Sequence, residues 1–292
     1  SGKTTLLRLI AGLEDVQEGY IKLNDNIIAS KNTNPPAEDR SVGFVFQENI
    51  LFPHLTVSQN IEFGIQSLDY EERKRIVMQS LEDMDLLGFE NRYPETLSGG
   101  EKQRVALVQS LARSPKIMLL DEPFSNVDPQ LRAELRHHTR QLLVKSNAVS
   151  IIVTHDPMEA LDIADFIGIV GDGKIYQIDT PKNIWTKPLN KQVITSLGEC
   201  QRIKVKYRDG ALVGAFGLID NLFKDEERLP EVFIRPNSFI FSKVKTKDKD
   251  IKVMIDSILF RGNYTAILFS YKKETFFAFI DRDMDNINIG EE

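Results

Sequence analysis

Leu97-Ser98-Gly99-Gly100-Glu101, followed by Gln103 and Arg104, is the stretch on which the fold turns. Its two glycines let backbone come close to an anion, Ser98 offers a hydroxyl, and Glu101 opens a helix whose positive end favours phosphate. The same residues also describe an N-capped helix after a glycine turn, so the reading depends on what flanks them. Upstream, Gly2-Lys3-Thr4 supplies the last three positions of the phosphate-loop pattern G-x-x-x-x-G-K-[ST], with Ser1 at a variable one. There backbone N–H groups cradle phosphate oxygens, the Lys ammonium bridges phosphates and the Thr hydroxyl binds Mg²⁺. Downstream, Ile117 to Leu120 runs into Asp121-Glu122, an apolar strand ending in two acids. In a phosphate-loop fold the first acid serves the Mg²⁺ shell and the second polarises an attacking water.

The rest of the chain fits this frame. Short apolar runs at Lys116 to Leu120, Val149 to Val153 and Phe166 to Val170 alternate with helical stretches, Gln130 to Val144 and Pro157 to Ala164, the rhythm of a buried parallel sheet. Lys3 to Leu13 reads as a helix, Tyr20 to Ala29 as a hairpin and Val42 to Phe46 as a strand. Residues from about 48 to 115 form a helical insert, with helices at Tyr70 to Leu87 and Glu101 to Arg113. Beyond Gly198 the pattern becomes alternation, at Lys204 to Tyr207, Val232 to Ile234, Ile251 to Ile255, Ala266 to Tyr271 and Thr275 to Ile280. The prediction is an α/β domain over 1–197 and a small all-β domain over 198–292. That matches the two domains expected of 292 residues at about 150 per domain.

Composition excludes several classes. Lys and Arg number 37 against 43 Asp and Glu, a net charge of −6 with no basic block, which argues against nucleic acid as a partner. The longest strictly apolar stretches, such as Leu212 to Ile219, fall far short of the ~20 residues that cross a bilayer. One cysteine, Cys200, allows neither an internal disulfide nor a Cys-based metal site. His137-His138 lies on a helix with adjacent residues on different faces and reads as solvated, and Asp281, Asp283 and Asp285 read as an acidic tail rather than a calcium loop.

Gln47 after the strand Val42 to Phe46, Asp128 within Ser125-Asn126-Val127-Asp128, and His155 after the strand Val149 to Val153 complete an ordered set. Together these residues resemble the ATP-binding cassette ATPases over roughly Ser1 to Leu197. Gly2-Lys3-Thr4-Thr5 matches the end of Walker A, Gln47 the Q-loop, Leu97 to Glu101 the family signature, Asp121 and Glu122 Walker B and its base, Asp128 the D-loop, and His155 the switch histidine. The resemblance implies a phosphate-loop NTPase fold and ATP with Mg²⁺. It assigns catalysis to Glu122, His155 and Gln47, and the metal to Thr4, Gln47 and Asp121. Nucleotide contacts fall to Ser1, Gly2, Lys3, Thr4, Thr5, Gln47, Asp121 and Asp128, with Ser98, Gly99 and Gly100 serving the ATP of a second cassette in a homodimer. The family carries a strand and an adenine-stacking aromatic before the phosphate loop, so a chain opening on Ser1 is expected to be truncated at its amino terminus.

Within the family, a compact insert between Gln47 and Leu97 disfavours the long coiled coils of chromosome and repair ATPases. A single cassette without a membrane span points to an importer. Gln47 to Val57 resembles the Q-loop region of importers for sugars, polyamines, sulfate and ferric iron, with Leu51, Phe52 and Leu55 facing either a membrane subunit or the core. Val232-Phe233-Ile234-Arg235-Pro236 and Phe260-Arg261-Gly262 resemble the barrel-like regulatory domain (an OB-type, TOBE-like fold) of that group. Phe124, with Leu131 to Arg136, looks most like the ferric-iron branch, with polyamine, sulfate or sugar uptake as alternatives. The implied partners are a second cassette, two transmembrane permease subunits and, indirectly, a substrate-binding protein, at the cytoplasmic face of a bacterial inner membrane. A different class, a regulatory cassette that does not hydrolyse ATP, is disfavoured by the intact Lys3, Asp121, Glu122 and His155.

Overall fold

A computed structural model describes residues 2–23, 25–48, 50–208, 211–219, 231–241 and 250–281. Ser1 and the Asp283 to Glu292 part of the acidic tail lie outside these residues. The chain divides into two compact units, Ser1–Lys187 and Pro188–Glu292.

The first unit begins with α1 (Lys3–Ala11), β1 (Tyr20–Leu23), β2 (Asn26–Ser30) and β3 (Val42–Val45). It continues through α2 (Val57–Glu62), α3 (Tyr70–Glu82) and α4 (Gly99–Leu111) to β4 (Ile117–Asp121), α5 (Pro129–Ser146), β5 (Val149–Val153) and α6 (Pro157–Ile163). It ends with β6 (Ile167–Gly171), β7 (Lys174–Asp179) and α7 (Pro181–Thr186). Strands β3, β4 and β5 form a parallel sheet with β4 in the centre. All five β4 residues are buried, because both faces of this strand are covered. Ile117 and Leu119 join Leu7, Ile10 and Ala11 of α1, while Met118 and Leu120 join the larger core of the helical segment, with Ile61, Leu81, Val105 and Leu107.

The pairings Val45 with Leu120 and Asp121 with Val153 bring the carboxyl ends of the three strands to one edge of the sheet. In open α/β sheets that edge is where ligands bind. Helices α2, α3 and α4 make up the helical segment, and each starts on a capping side chain: Thr56, Asp69 and Ser98.

The run Phe166 to Val170, expected in the parallel sheet, is not there. It becomes β6, which pairs antiparallel with β7 in a separate two-stranded sheet. The cause is the two-residue turn Asp172-Gly173, in which both residues have positive φ, 49° and 69°. Such a turn matches the twist of an antiparallel hairpin and commits the strand to its sequence neighbour.

Helix α1 ends in a way that its sequence hints at only through Gly12. With φ at 82°, Gly12 donates to the Leu9 carbonyl while the Leu13 N–H reaches the Arg8 carbonyl, a Schellman closure. Arg40, a buried side chain, adds a second donor to the Leu9 carbonyl and takes that of Ile10, with Nη1 at 2.8 Å from both, while Nε donates to Pro35. A Cβ on Gly12 would stand 2.6 Å from Arg40 Nε. The guanidinium therefore replaces water at the negative end of the phosphate-loop helix. Arg40→Leu is expected to lower unfolding stability by about 2–3 kcal/mol, since it orphans carbonyls in a closed site; chemical denaturation with an unchanged m-value is the measurement.

The second unit holds α8 (Lys191–Ser196) and β8 (Gln201–Ile203), β9 (Val205–Arg208), β10 (Ala211–Gly214), β11 (Gly217–Ile219), β12 (Val232–Ile234), β13 (Met254–Phe260), β14 (Thr265–Tyr271) and β15 (Glu274–Ile280). Helix α8 lies within this unit, so the division falls earlier in the chain than the change of pattern at Gly198. Every strand pair among its described residues is antiparallel. The strand expected at Ile251 to Ile255 starts only at Met254 and runs to Phe260. Its register is set by Phe260 opposite Thr265 across the turn that holds Gly262. Phe276 packs with Phe269 and Phe216 in the core of this unit. Phe277 and Phe279, one residue out of phase, lie on the opposite face.

Candidate active site

At the amino end of α1, Gly2 has φ 78° and no side chain caps the helix. The phosphate-loop end of the helix thus presents its first-turn N–H groups with the positive end of the dipole behind them. Lys3 and Thr4 are half-buried there, and Thr5 is exposed. The Thr4 hydroxyl donates to Asp121 Oδ1 at 3.1 Å, and Asp121 is buried at the end of β4. Two hard oxygen donors from distant parts of the chain thus meet at one point. That donor set fits Mg²⁺, which takes few protein ligands and completes its shell with phosphate and water.

Glu122 follows Asp121 with φ at 46°, a conformation that costs a non-glycine residue about 1–2 kcal/mol. Its neighbours hold it there. The Glu122 N–H donates to the Val153 carbonyl at 2.8 Å, and its own carbonyl accepts from the Ser125 N–H and hydroxyl. This sharp exit from β4 turns the Glu122 side chain toward β3 and β5. Oε2 accepts from Gln47 Nε2 at 3.4 Å and lies 3.0 Å from His155 Nδ1. Three residues separated by up to 108 positions meet around one carboxylate oxygen because they all follow the carboxyl ends of adjacent parallel strands.

The stretch Leu97 to Glu101 forms a capping box. Ser98 Oγ accepts from the Glu101 N–H, and the Ser98 N–H donates to Glu101 Oε2 at 2.6 Å. Burial pushes the Glu101 carboxyl up, but donation from Ser98 and the fields of Arg104 and Arg92 outweigh it, so the group lies below its ordinary value. The two glycines differ in what they allow. A Cβ on Gly99 would meet the Asn126 carbonyl at 2.7 Å, whereas one on Gly100 would find ordinary contact with Val127. Gly99 is therefore required by packing inside the chain, against the segment that carries Asp128. Asp128 caps α5 through the Gln130 N–H at 2.9 Å.

Two residues missed by motif reading tie these parts together. Asn126 donates to the Gln47 carbonyl at 3.0 Å while its own carbonyl supports Gly99, so it touches both the Q-loop and the start of α4. Asn60, fully buried, donates to the carbonyls of Phe52, Leu55 and Thr56 and accepts from the Phe52 N–H, shaping the loop after Gln47. Both lie among other polar residues, Asn126 in Ser125-Asn126-Val127-Asp128 and Asn60 after Ser58-Gln59, so nothing local marks either one. Of the apolar residues in that loop, Leu51 packs on the core, while Phe52 rests on the half-exposed Phe63 with ring centroids 4.3 Å apart. His137 contacts Gln141 and His138 lies 3.7 Å from Asp85; no group of His, Cys, Asp or Glu suited to a metal occurs among the described residues.

A helix opening on Gly-Lys-Thr, a Thr–Asp pair at its foot and a carboxylate at the end of the central parallel strand define a phosphate-loop nucleoside triphosphatase. The chain matches the ABC transporter family over residues 1–125. It is 38% identical over 271 residues to the sulfate/thiosulfate import ATP-binding protein CysA of Photorhabdus laumondii, covering 90% of this chain and 74% of that protein. To the protein of the same name from Escherichia coli it is 39% identical over 275 residues, covering 92% and 74%. Among solved structures, the dimeric post-hydrolysis state of the ATP-binding cassette MJ0796 bound to ADP and Pi aligns with a TM-score of 0.53 and 28% identity, over 62% of this chain and 81% of that one. The chain belongs to the ABC transporter family, as an ATP-binding subunit of the importer type.

Proposed function

We propose that this chain hydrolyses ATP to drive uptake of sulfate or thiosulfate. The observation that carries the solute is the likeness to sulfate/thiosulfate import proteins, which extends over nine-tenths of the chain. The ferric-iron reading rested on Phe124 and its neighbours, and Phe124 is a fully buried core residue. Its identity answers to packing, so it is a poor marker of the solute.

Thr4, Asp121 and Gln47 would hold Mg²⁺, which neutralises charge building on the phosphates when bound. Lys3 and the α1 N–H groups bind the phosphates. Glu122 takes the proton of the attacking water, and Gln47 and His155 orient its carboxylate. Ser98, Gly99 and Gly100 present the start of α4 to the nucleotide of a second copy. The working unit is a dimer of this chain with two transmembrane permease subunits, fed by a substrate-binding protein. No helix among the described residues is long and apolar enough to cross a membrane. On this reading the chain works peripherally, at the cytoplasmic face of the inner membrane, by docking on the permease subunits.

The test is uptake by the full chain assembled with its transmembrane permease subunits and a substrate-binding protein. ATP-dependent accumulation of labelled sulfate or thiosulfate, without ferric iron, is the expected outcome. Iron uptake without sulfate would restore the ferric reading, and transport without ATP turnover would place the chain in the non-hydrolysing class.

A further inference from the structure

Glu159 is a buried acid that none of the motifs explains. It lies on α6, only 4% exposed. Burial pushes its carboxyl up, against the donation from Thr154; Asp156 adds to the rise, and Arg136 and Arg132 oppose it. Its hydrogen-bond partner is the Thr154 hydroxyl, which donates to Oε2. The same hydroxyl accepts from the Asp156 N–H at 3.0 Å, and Asp156 Oδ1 accepts from the Met158 N–H at 2.8 Å. The residues on either side of His155 are thus locked to each other and to α6, while His155 itself is exposed and lies 3.0 Å from Glu122.

Helix α6 is itself tied to a second helix. Arg136 of α5 pairs with Asp162 at 2.9 Å, and Arg140 of the same helix donates to the Ile163 carbonyl and pairs with Asp165 at 2.8 Å, so α6 is stapled to α5. Helix α5 opens at Asp128, and its Arg132 donates to the Val127 carbonyl at 2.9 Å. We infer that Glu159 is a positioning residue which, through the Thr154 hydroxyl, sets His155 against the Glu122 carboxylate. The inference rests on the proposed role of His155 in hydrolysis. It adds that the stance of this histidine is fixed from α6, and not by the Glu122 contact alone.

The geometry is demanding because an error of about 1 Å in a catalytic group can cost up to 10²-fold in rate. In the full transporter, Thr154→Val and Glu159→Leu are expected to lower kcat roughly tenfold while the KM for ATP stays within about twofold. Thr154→Ser, which keeps the hydroxyl, should restore kcat. Introduced into a His155→Ala background, Thr154→Val should produce no further loss in single-turnover assays, since a residue acting only through His155 has nothing left to position. Glu159→Leu is open to misfolding, so thermal unfolding accompanies it and Thr154→Val carries the decision. Wild-type kcat in Thr154→Val, with His155→Ala impaired, overturns the inference and leaves the proposed function standing. An equal further loss in the His155→Ala background also overturns it, by showing a structural brace that acts elsewhere. Full activity in His155→Ala overturns the role of the histidine and this inference with it.

Discussion

Glu122→Gln should abolish steady-state ATP hydrolysis while nucleotide binding persists, with kcat down by at least ~10²-fold, the scale for losing a general base. The amide keeps the shape of the side chain, and the proposed phosphate and Mg²⁺ contacts at Lys3, Thr4 and Asp121 are untouched. What disappears is the proton acceptor, at the oxygen that Gln47 and His155 both approach. Because Glu122 holds φ 46° through backbone bonds to Val153 and Ser125, the variant should keep the wild-type turn. Equilibrium binding of labelled ATP alongside a phosphate-release assay separates the two effects. Near-normal turnover would move the base to another residue.

Lys3→Ala and Ser98→Arg should each silence a homodimer, and mixing the two chains should restore part of the activity. Lys3 opens α1 and Ser98 caps α4, and on the proposed reading they serve different nucleotides: one the chain's own, the other its partner's. A mixed dimer then has one interface carrying both defects and one carrying neither. Each homodimer is expected to fall at least ~10²-fold, since the first loses the phosphate cation and the second places a bulky cation where a phosphate should dock. Statistical mixing at equal amounts makes about half the dimers mixed, so recovery of an appreciable fraction of wild-type rate is the readout. Full activity in strictly monomeric protein would contradict the composite site.

The candidate site was legible in the sequence wherever function demands a particular backbone or side chain at a particular spacing. Gly2-Lys3-Thr4, Leu97 to Glu101 and Asp121-Glu122 could be named because helix ends and the exits of buried strands leave local signatures, whereas His155 and Gln47 were named only through the family resemblance of the ordered set. Residues that work by reaching across the fold left none. Asn126 looks like any turn residue until its amide is seen on the Gln47 carbonyl and its carbonyl under Gly99. Arg40 reads as a loop cation until it closes α1, and Glu159 as a surface acid until burial and Thr154 enclose it.

Strand pairing divides the same way. Periodicity located β4 and β5 because a strand covered on both faces is apolar throughout. The same apolar run at Phe166 to Val170 carries no mark of which neighbour it will choose, and the choice fell to the Asp172-Gly173 turn and to β7. The sequence alone determined the class of nucleotide chemistry and put forward the candidate residues for it, because helix ends, strand ends and glycine conformations are local properties. The tertiary structure decided that Gln47, Glu122 and His155 share one carboxylate oxygen, that Gly99 is glycine for the sake of Asn126, and that Phe124 belongs to the core. Those facts depend on which distant segments come within hydrogen-bond or van der Waals reach, and chain spacing carries no record of that.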